Sequence, residues 1–171
     1  RVQELLTKLE FFNNLKIDVN LIGQLQTNKV KYVKGKVNLI QSVDRLELAE
    51  TISRREPDIP QGVLVEVNIG QEDQKGGISP GRLPEFLAQL AVLPGLRVQG
   101  LMCIPPAGEA PERARAHFAR MRRLFEDAGS IPGVEMRHLS MGMSADYPQA
   151  ILEGSTMVRV GTALFGARAP A

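Results

Sequence analysis

Short apolar runs alternate with longer amphipathic ones along this chain. Residues 19–22, 39–43, 63–68, 96–102 and 157–160 have the length and the β-branched content of strands, and 138–141 is a shorter sixth candidate. Before and between them, apolar residues recur with a helical period over 2–14, 24–33, 44–55, 80–92, 111–128 and 145–153. Asp44 stands where an N-cap would be for the helix that follows it. The Pro- and Gly-bearing stretches 56–62 and 105–111 are loops of ordinary length, and there is no internal repeat. Regular strand–helix alternation calls for a parallel sheet with helical crossovers, either open and doubly wound or closed as a barrel.

An open dinucleotide-binding sheet would normally carry a Gly-x-Gly-x-x-Gly turn after its first strand, and none is present. That absence favours the barrel. In a barrel the ligand sits at the C-terminal ends of the strands, and the last two strand ends often hold phosphate. Small and polar residues gather at those ends here: Gly23, Asn68, Ser140 to Ser144, and Gly161-Thr162. Ser-Met-Gly-Met-Ser and Gly161-Thr162 each stand where a strand turns into a helix, a place where backbone N–H groups can approach an anion. Arg159 is the one charge inside the last apolar run. It must either pair across the rim or face a ligand.

Composition narrows the classes further. At 171 residues, one domain over 1–171 is the expectation. Lys and Arg total 21 against 19 Asp and Glu, and no block of like charge appears, so neither a nucleic-acid nor a membrane surface is indicated. The lone Cys103 excludes an internal disulfide and suits a reducing cytoplasm. Its apolar surroundings suit packing more than nucleophilic chemistry. His117 and His138 lack metal-like spacing, and His117 shares a helix with Arg113, Arg120 and Arg123 as part of a solvated face. Glu66, Glu72 and Asp73 are read as solvated or loop-ordering carboxylates.

The motifs taken together are more specific. Leu21-Ile22-Gly23-Gln24-Leu25-Gln26-Thr27-Asn28-Lys29, Ser42-Val43-Asp44-Arg45, Val67-Asn68-Ile69 with Lys75-Gly76-Gly77, Gly100-Leu101-Met102-Cys103-Ile104-Pro105, Leu139-Ser140-Met141-Gly142-Met143-Ser144 and Val158-Arg159-Val160-Gly161-Thr162-Ala163-Leu164-Phe165-Gly166 follow in order. This series resembles the pyridoxal-phosphate homeostasis proteins, the YggS/PROSC family, over essentially the whole chain. The resemblance implies an α/β fold, a (β/α)8 TIM barrel of the alanine racemase N-terminal type. It implies pyridoxal 5′-phosphate as the cofactor and a role in vitamin B6 and amino-acid homeostasis without established turnover. PLP-dependent apoenzymes are the implied partners, and the oligomeric state is left open. By position, Ser144 and Gly161-Thr162 would hold the phosphate, with Ser140 near it, and Arg159 would face the pyridine nitrogen. The alternatives are a PLP-dependent racemase-like enzyme and a barrel that has lost its cofactor.

The chain also departs from the family pattern. The family links the cofactor through a lysine in a Val-Ser-Lys-like first strand and brings an Asn from a Gly-Glu-Asn segment; neither segment is present. Expected, then, are about six of eight strands, an N-terminally incomplete barrel and exposed apolar edges that favour association. Lys29, Lys31, Lys34, Lys36 and Lys75 do not match the linking position. Asn20 stands where the family commonly has His.

Overall fold

The structure is a computed structural model and describes residues 2–166. The expected span of 1–171 runs past these bounds at both ends. Helix α1 (Val2–Asn14) precedes six parallel strands: β1 (Asn20–Leu21), β2 (Leu39–Val43), β3 (Gln61–Glu66), β4 (Leu96–Met102), β5 (His138–Met143) and β6 (Met157–Arg159). They lie side by side in chain order, so each strand hydrogen-bonds to its predecessor. The crossovers are α2 (Val30–Val33), α3 (Leu46–Arg54), α4 (Leu83–Ala91), α5 (Pro111–Ala128) and α6 (Tyr147–Leu152), and α7 (Thr162–Phe165) follows β6. The sheet is a half-barrel. Among the described residues, β1 and β6 are each paired on one side only.

One sheet face packs against the helices. Ile40, Val63, Val65, Leu101, Leu139 and Met141 are buried there with Ile52, Leu87, Leu90, Phe118 and Met121. In α5 the buried positions Ala114, Phe118, Met121, Phe125 and Ala128 are spaced four, three, four and three apart, which keeps them on one helix face. Pro111 occupies the first helical position, where a missing N–H is harmless. Each large apolar side chain buried this way contributes about 1.5–3 kcal/mol.

The other face carries a smaller cluster of Leu39, Leu64 and Met102, with Ile104 and Met157 against it. Two residues further along three of these strands stand Gln41, Glu66 and Arg159. Side chains alternate between faces, so the interior changes from apolar to polar towards the C-terminal strand ends. Gly100 lets β4 and β5 meet closely: its φ is +149°, and a Cβ there would overlap the His138 carbonyl oxygen.

Two local expectations are corrected. The helix expected over 24–33 begins late, with a 3-10 turn at Thr27–Lys29 before α2. The Leu25 carbonyl accepts from the Arg45 guanidinium at 2.9 Å, a bond outside any helix. The residue at the N-cap of α3 is Arg45, not Asp44. The Asp44 carboxylate instead pairs with Arg45 at 2.9 Å.

Candidate functional site

A chain of polar contacts crosses the barrel interior at the strand ends. From the end of β6, Arg159 Nη1 donates to Ser140 Oγ at 2.8 Å, and Nη2 donates to the Cys103 carbonyl at 2.8 Å. The Ser140 hydroxyl donates in turn to Gln41 Oε1 at 2.7 Å, and Gln41 Nε2 reaches Met157 Sδ at 3.0 Å. Ser140 and Gln41 are buried. Of the two readings left open for Arg159, the structure does not show the ion pair across the rim: both bonded partners are neutral, and no ion pair of Arg159 is found among the described residues. Its Nε atom is buried and has no hydrogen-bond partner among the described residues. Burial depresses the guanidinium pKa, with Cys103, Asp146 and Glu66 acting the other way.

A second arrangement lies at the ends of β5 and β6. Ser144 Oγ accepts the N–H of Gly161 at 3.2 Å and that of Ala163 at 3.3 Å. Two backbone donors therefore converge on one oxygen beside an exposed Gly161 and Thr162. With four residues, α7 contributes little dipole, so any preference for an anion rests on these N–H groups. Asp146 Oδ1 accepts from Met143 N at 2.6 Å and holds the turn that presents Ser144. Strand pairing places Met143 opposite Arg159, which brings Ser140, Ser144, Arg159, Gly161 and Thr162 to adjoining strand ends.

Sequence reasoning overlooked a third group. Glu66, read there as solvated or loop-ordering, is buried at the end of β3. Its Oε2 accepts from Gln24 Nε2 at 2.7 Å. Burial and then the charge of Asp44 push the carboxyl up to about 7, against the Gln24 hydrogen bond and Arg159. Gln41 was also passed over. Both carried a readable signal, a polar side chain within an apolar strand, as Arg159 did.

The remaining candidates have other occupations. Glu72 pairs with Lys75 at 2.5 Å, and Asn68 ties the same loop through Glu72 N and O, so Glu72 orders the loop as expected. Lys75 also donates to the Pro105 carbonyl at 3.2 Å, and buried Lys34 donates to the Glu56 carbonyl at 2.8 Å. His117 lies 3.1 Å from the Glu109 carboxylate and is half-buried, so the reading of it as part of a solvated face is corrected. Cys103 is fully buried just beyond β4, and desolvation pushes its thiol up to about 12.

The model of the family described as alanine racemase, N-terminal domain, matches residues 13–169. The pyridoxal phosphate homeostasis protein of Aquifex aeolicus (strain VF5) is 49% identical over 170 residues, covering 98% of this chain and 75% of that protein. The chain belongs to this homeostasis-protein family. A solved structure with the same fold is PipY of Synechococcus elongatus PCC7942 with PLP bound. It is 35% identical at a TM-score of 0.87, over 97% of this chain and 79% of that one. Alanine racemase from Corynebacterium glutamicum shares the fold alone, with 15% identity and a TM-score of 0.74 over 95% of this chain and 46% of that one. For a homeostasis-family member, the polar strand ends described above lie where a (β/α)8 barrel presents its ligand.

Proposed function

We propose that this chain binds pyridoxal 5′-phosphate at the ends of β5 and β6 and serves intracellular PLP and amino-acid homeostasis as a cofactor holder rather than an enzyme. The observation that carries the reading is the converging pair of N–H groups at Ser144 beside an arginine with a buried, unpartnered Nε. It stands in a chain whose relatives are named pyridoxal phosphate homeostasis proteins. The Gly161 and Ala163 N–H groups, with the hydroxyls of Ser144 and Thr162, would hold the phosphate, and Ser140 would lie near it.

When bound, the cofactor supplies an electron-withdrawing ring whose strength as an electron sink depends on protonation of its pyridine nitrogen. Arg159 carries donors only and a fixed positive charge, so beside that nitrogen it disfavours the protonated ring. Such a group suits retention over turnover. Ser140 and the Cys103 carbonyl hold the guanidinium in place, and Gln41 orients Ser140. PLP-dependent apoenzymes are the proposed recipients and the cytoplasm the proposed compartment, in keeping with a single unpaired cysteine. Among the described residues, no helix is long and apolar enough to cross a membrane.

The test is a titration of pyridoxal 5′-phosphate into the protein, followed by cofactor absorbance, with Ser144→Ala in parallel. Saturable binding at one equivalent, weakened roughly ten- to a hundredfold in the variant, is expected, since charged hydrogen bonds contribute about 1.5–3 kcal/mol. Absence of saturable binding sinks the reading, and turnover of free amino acids by the loaded protein sinks the holder assignment.

A further inference from the structure

We propose that Glu66 is the proton-linked group of this site: its carboxyl draws protons from solvent when the anionic cofactor settles beside Arg159 and returns them on release. The inference rests on the pyridoxal phosphate reading above and adds a means of regulation to it.

The geometry starts from burial. Glu66 ends β3 with 8% of its surface exposed, on the face shared with Leu64 and in the polar layer that includes Arg159. One carboxyl oxygen is tied to the Gln24 amide, a donor that serves either protonation state when the proton sits on the other oxygen. Gln24 and Asp44 are both held under the loop after β3. A Cβ on Gly76 would come within 2.7 Å of Gln24 Nε2 and 3.1 Å of Asp44 Oδ2, so the loop backbone lies directly against both side-chain ends.

The groups that act on Glu66 come from every neighbouring element. The Gln24 amide approaches from the segment after β1, the Asp44 carboxylate from the end of β2, and the Arg159 guanidinium from the end of β6. The Cys103 thiol, after β4, is pushed up to about 12 and stays protonated near neutrality. Asp146, in the turn after β5, acts on Arg159 and Cys103. Arg159 is the cation that acts on Glu66, while Asp44, which acts the other way, is itself paired with Arg45 at 2.9 Å.

With its carboxyl pushed up to about 7, Glu66 is divided between its two forms near neutral pH and has room to gain a proton. A dianionic phosphate ester entering this interior adds negative charge and competes for the field of Arg159. Both effects favour the neutral carboxyl, so the midpoint with ligand lies above the midpoint without it. By linkage, affinity is greatest at pH below the free midpoint and falls by up to about tenfold per pH unit until the bound midpoint is passed.

Two measurements decide the matter. Pyridoxal 5′-phosphate is titrated into the wild-type protein and Glu66→Gln from pH 6 to pH 8.5 at fixed ionic strength. Calorimetry at pH 7 in buffers of different ionisation enthalpy counts protons. Because the cofactor's own titration is common to both proteins, the difference between them belongs to Glu66. Wild type should take up about half a proton more than the variant at pH 7, and should lose about three- to tenfold more affinity over the range. Equal proton counts with intact binding overturn this proposal alone. Failure of both proteins to bind at every pH overturns the pyridoxal phosphate reading and this proposal with it. Carbon-13 titration of the Glu66 carboxyl in the wild-type protein gives the same answer if the variant does not fold: an upward midpoint shift with cofactor supports the linkage, and an unmoved midpoint refutes it.

Discussion

The Ser140 hydroxyl gives its single hydrogen to Gln41 Oε1 at 2.7 Å and so can only accept from Arg159, whose Nη1 lies 2.8 Å away. The direction of each bond in the chain follows from that one hydrogen. Ser140→Ala leaves Gln41 Oε1 and one Arg159 donor without their partner in a buried setting, a loss of about 1–3 kcal/mol. Gln41→Met removes the acceptor instead. Because both substitutions break the same bond, the double variant should be more stable than the sum of the single losses implies, by about 0.5–3 kcal/mol. Urea unfolding of the four proteins, with unchanged m-values, is the measurement. Additive losses would show that the two side chains are energetically independent.

Glu66 should make folding stability depend on pH. Its folded carboxyl is raised to about 7 from an ordinary value of 4.5, so the folded state holds a proton that the unfolded state has released between those values. The contribution is therefore fully present below the unfolded value and is lost as pH rises through the folded one, at about 1.4 kcal/mol per pH unit over the interval. Glu66→Gln, which keeps a neutral side chain throughout, should match wild type near pH 4 and exceed it by a few kcal/mol, on the order of 3, at pH 8.5. Denaturant midpoints at the two pH values test this. A constant difference at both would place Glu66 outside the titrating set.

Cys103 should be inert in the native state. Its thiol is fully buried and pushed up to about 12, which leaves on the order of one thiolate in ten thousand at pH 8. An aromatic disulfide reagent should therefore label it at the rate of unfolding and promptly once denaturant is added. Rapid stoichiometric labelling without denaturant would overturn the burial argument.

How much of this was legible in the sequence differs from residue to residue. Helices α1 and α5 were readable to their ends, because apolar spacing and Pro111 are local signals that no distant contact opposes. The six parallel strands followed from the alternation of runs, and their side-by-side order only from the barrel reading that the missing Gly-x-Gly-x-x-Gly turn favoured. Asp44 failed as a cap because its carboxylate pairs with Arg45, and a local pattern does not show whether a carboxylate takes a backbone N–H or a neighbouring guanidinium. Arg159 was singled out as a charge in an apolar strand; the same rule applied to Val-Leu-Val-Glu-Val would have found Glu66. The bonding partners of Arg159 lay beyond reach. Ser140 and Cys103 precede it by 19 and 56 residues, and only the register of the parallel strands brings them together.

Arg159→Glu separates a cofactor-facing arginine from a purely architectural one. The wild-type guanidinium ties β6 to Ser140 in β5 and to the carbonyl of Cys103 after β4, so either role predicts some loss of stability. The roles part over the cofactor. A carboxylate at 159 removes a cation that acts on Glu66 and adds an acid near Glu66 and Asp146. Next to a pyridine nitrogen it favours the protonated ring, and it repels a dianionic phosphate. Loss of a charge-assisted bond of about 1.5–3 kcal/mol corresponds to roughly ten- to a hundredfold weaker retention, accompanied by a shift in cofactor absorbance. Arg159→Lys keeps the charge but loses the fork that reaches Ser140 and Cys103 together, so it should retain the spectrum while losing stability. The comparison requires temperatures at which all three proteins are folded, confirmed by circular dichroism, before pyridoxal 5′-phosphate is titrated into each. If affinity and absorbance are the same in all three, Arg159 does not face the cofactor and only holds the strands together.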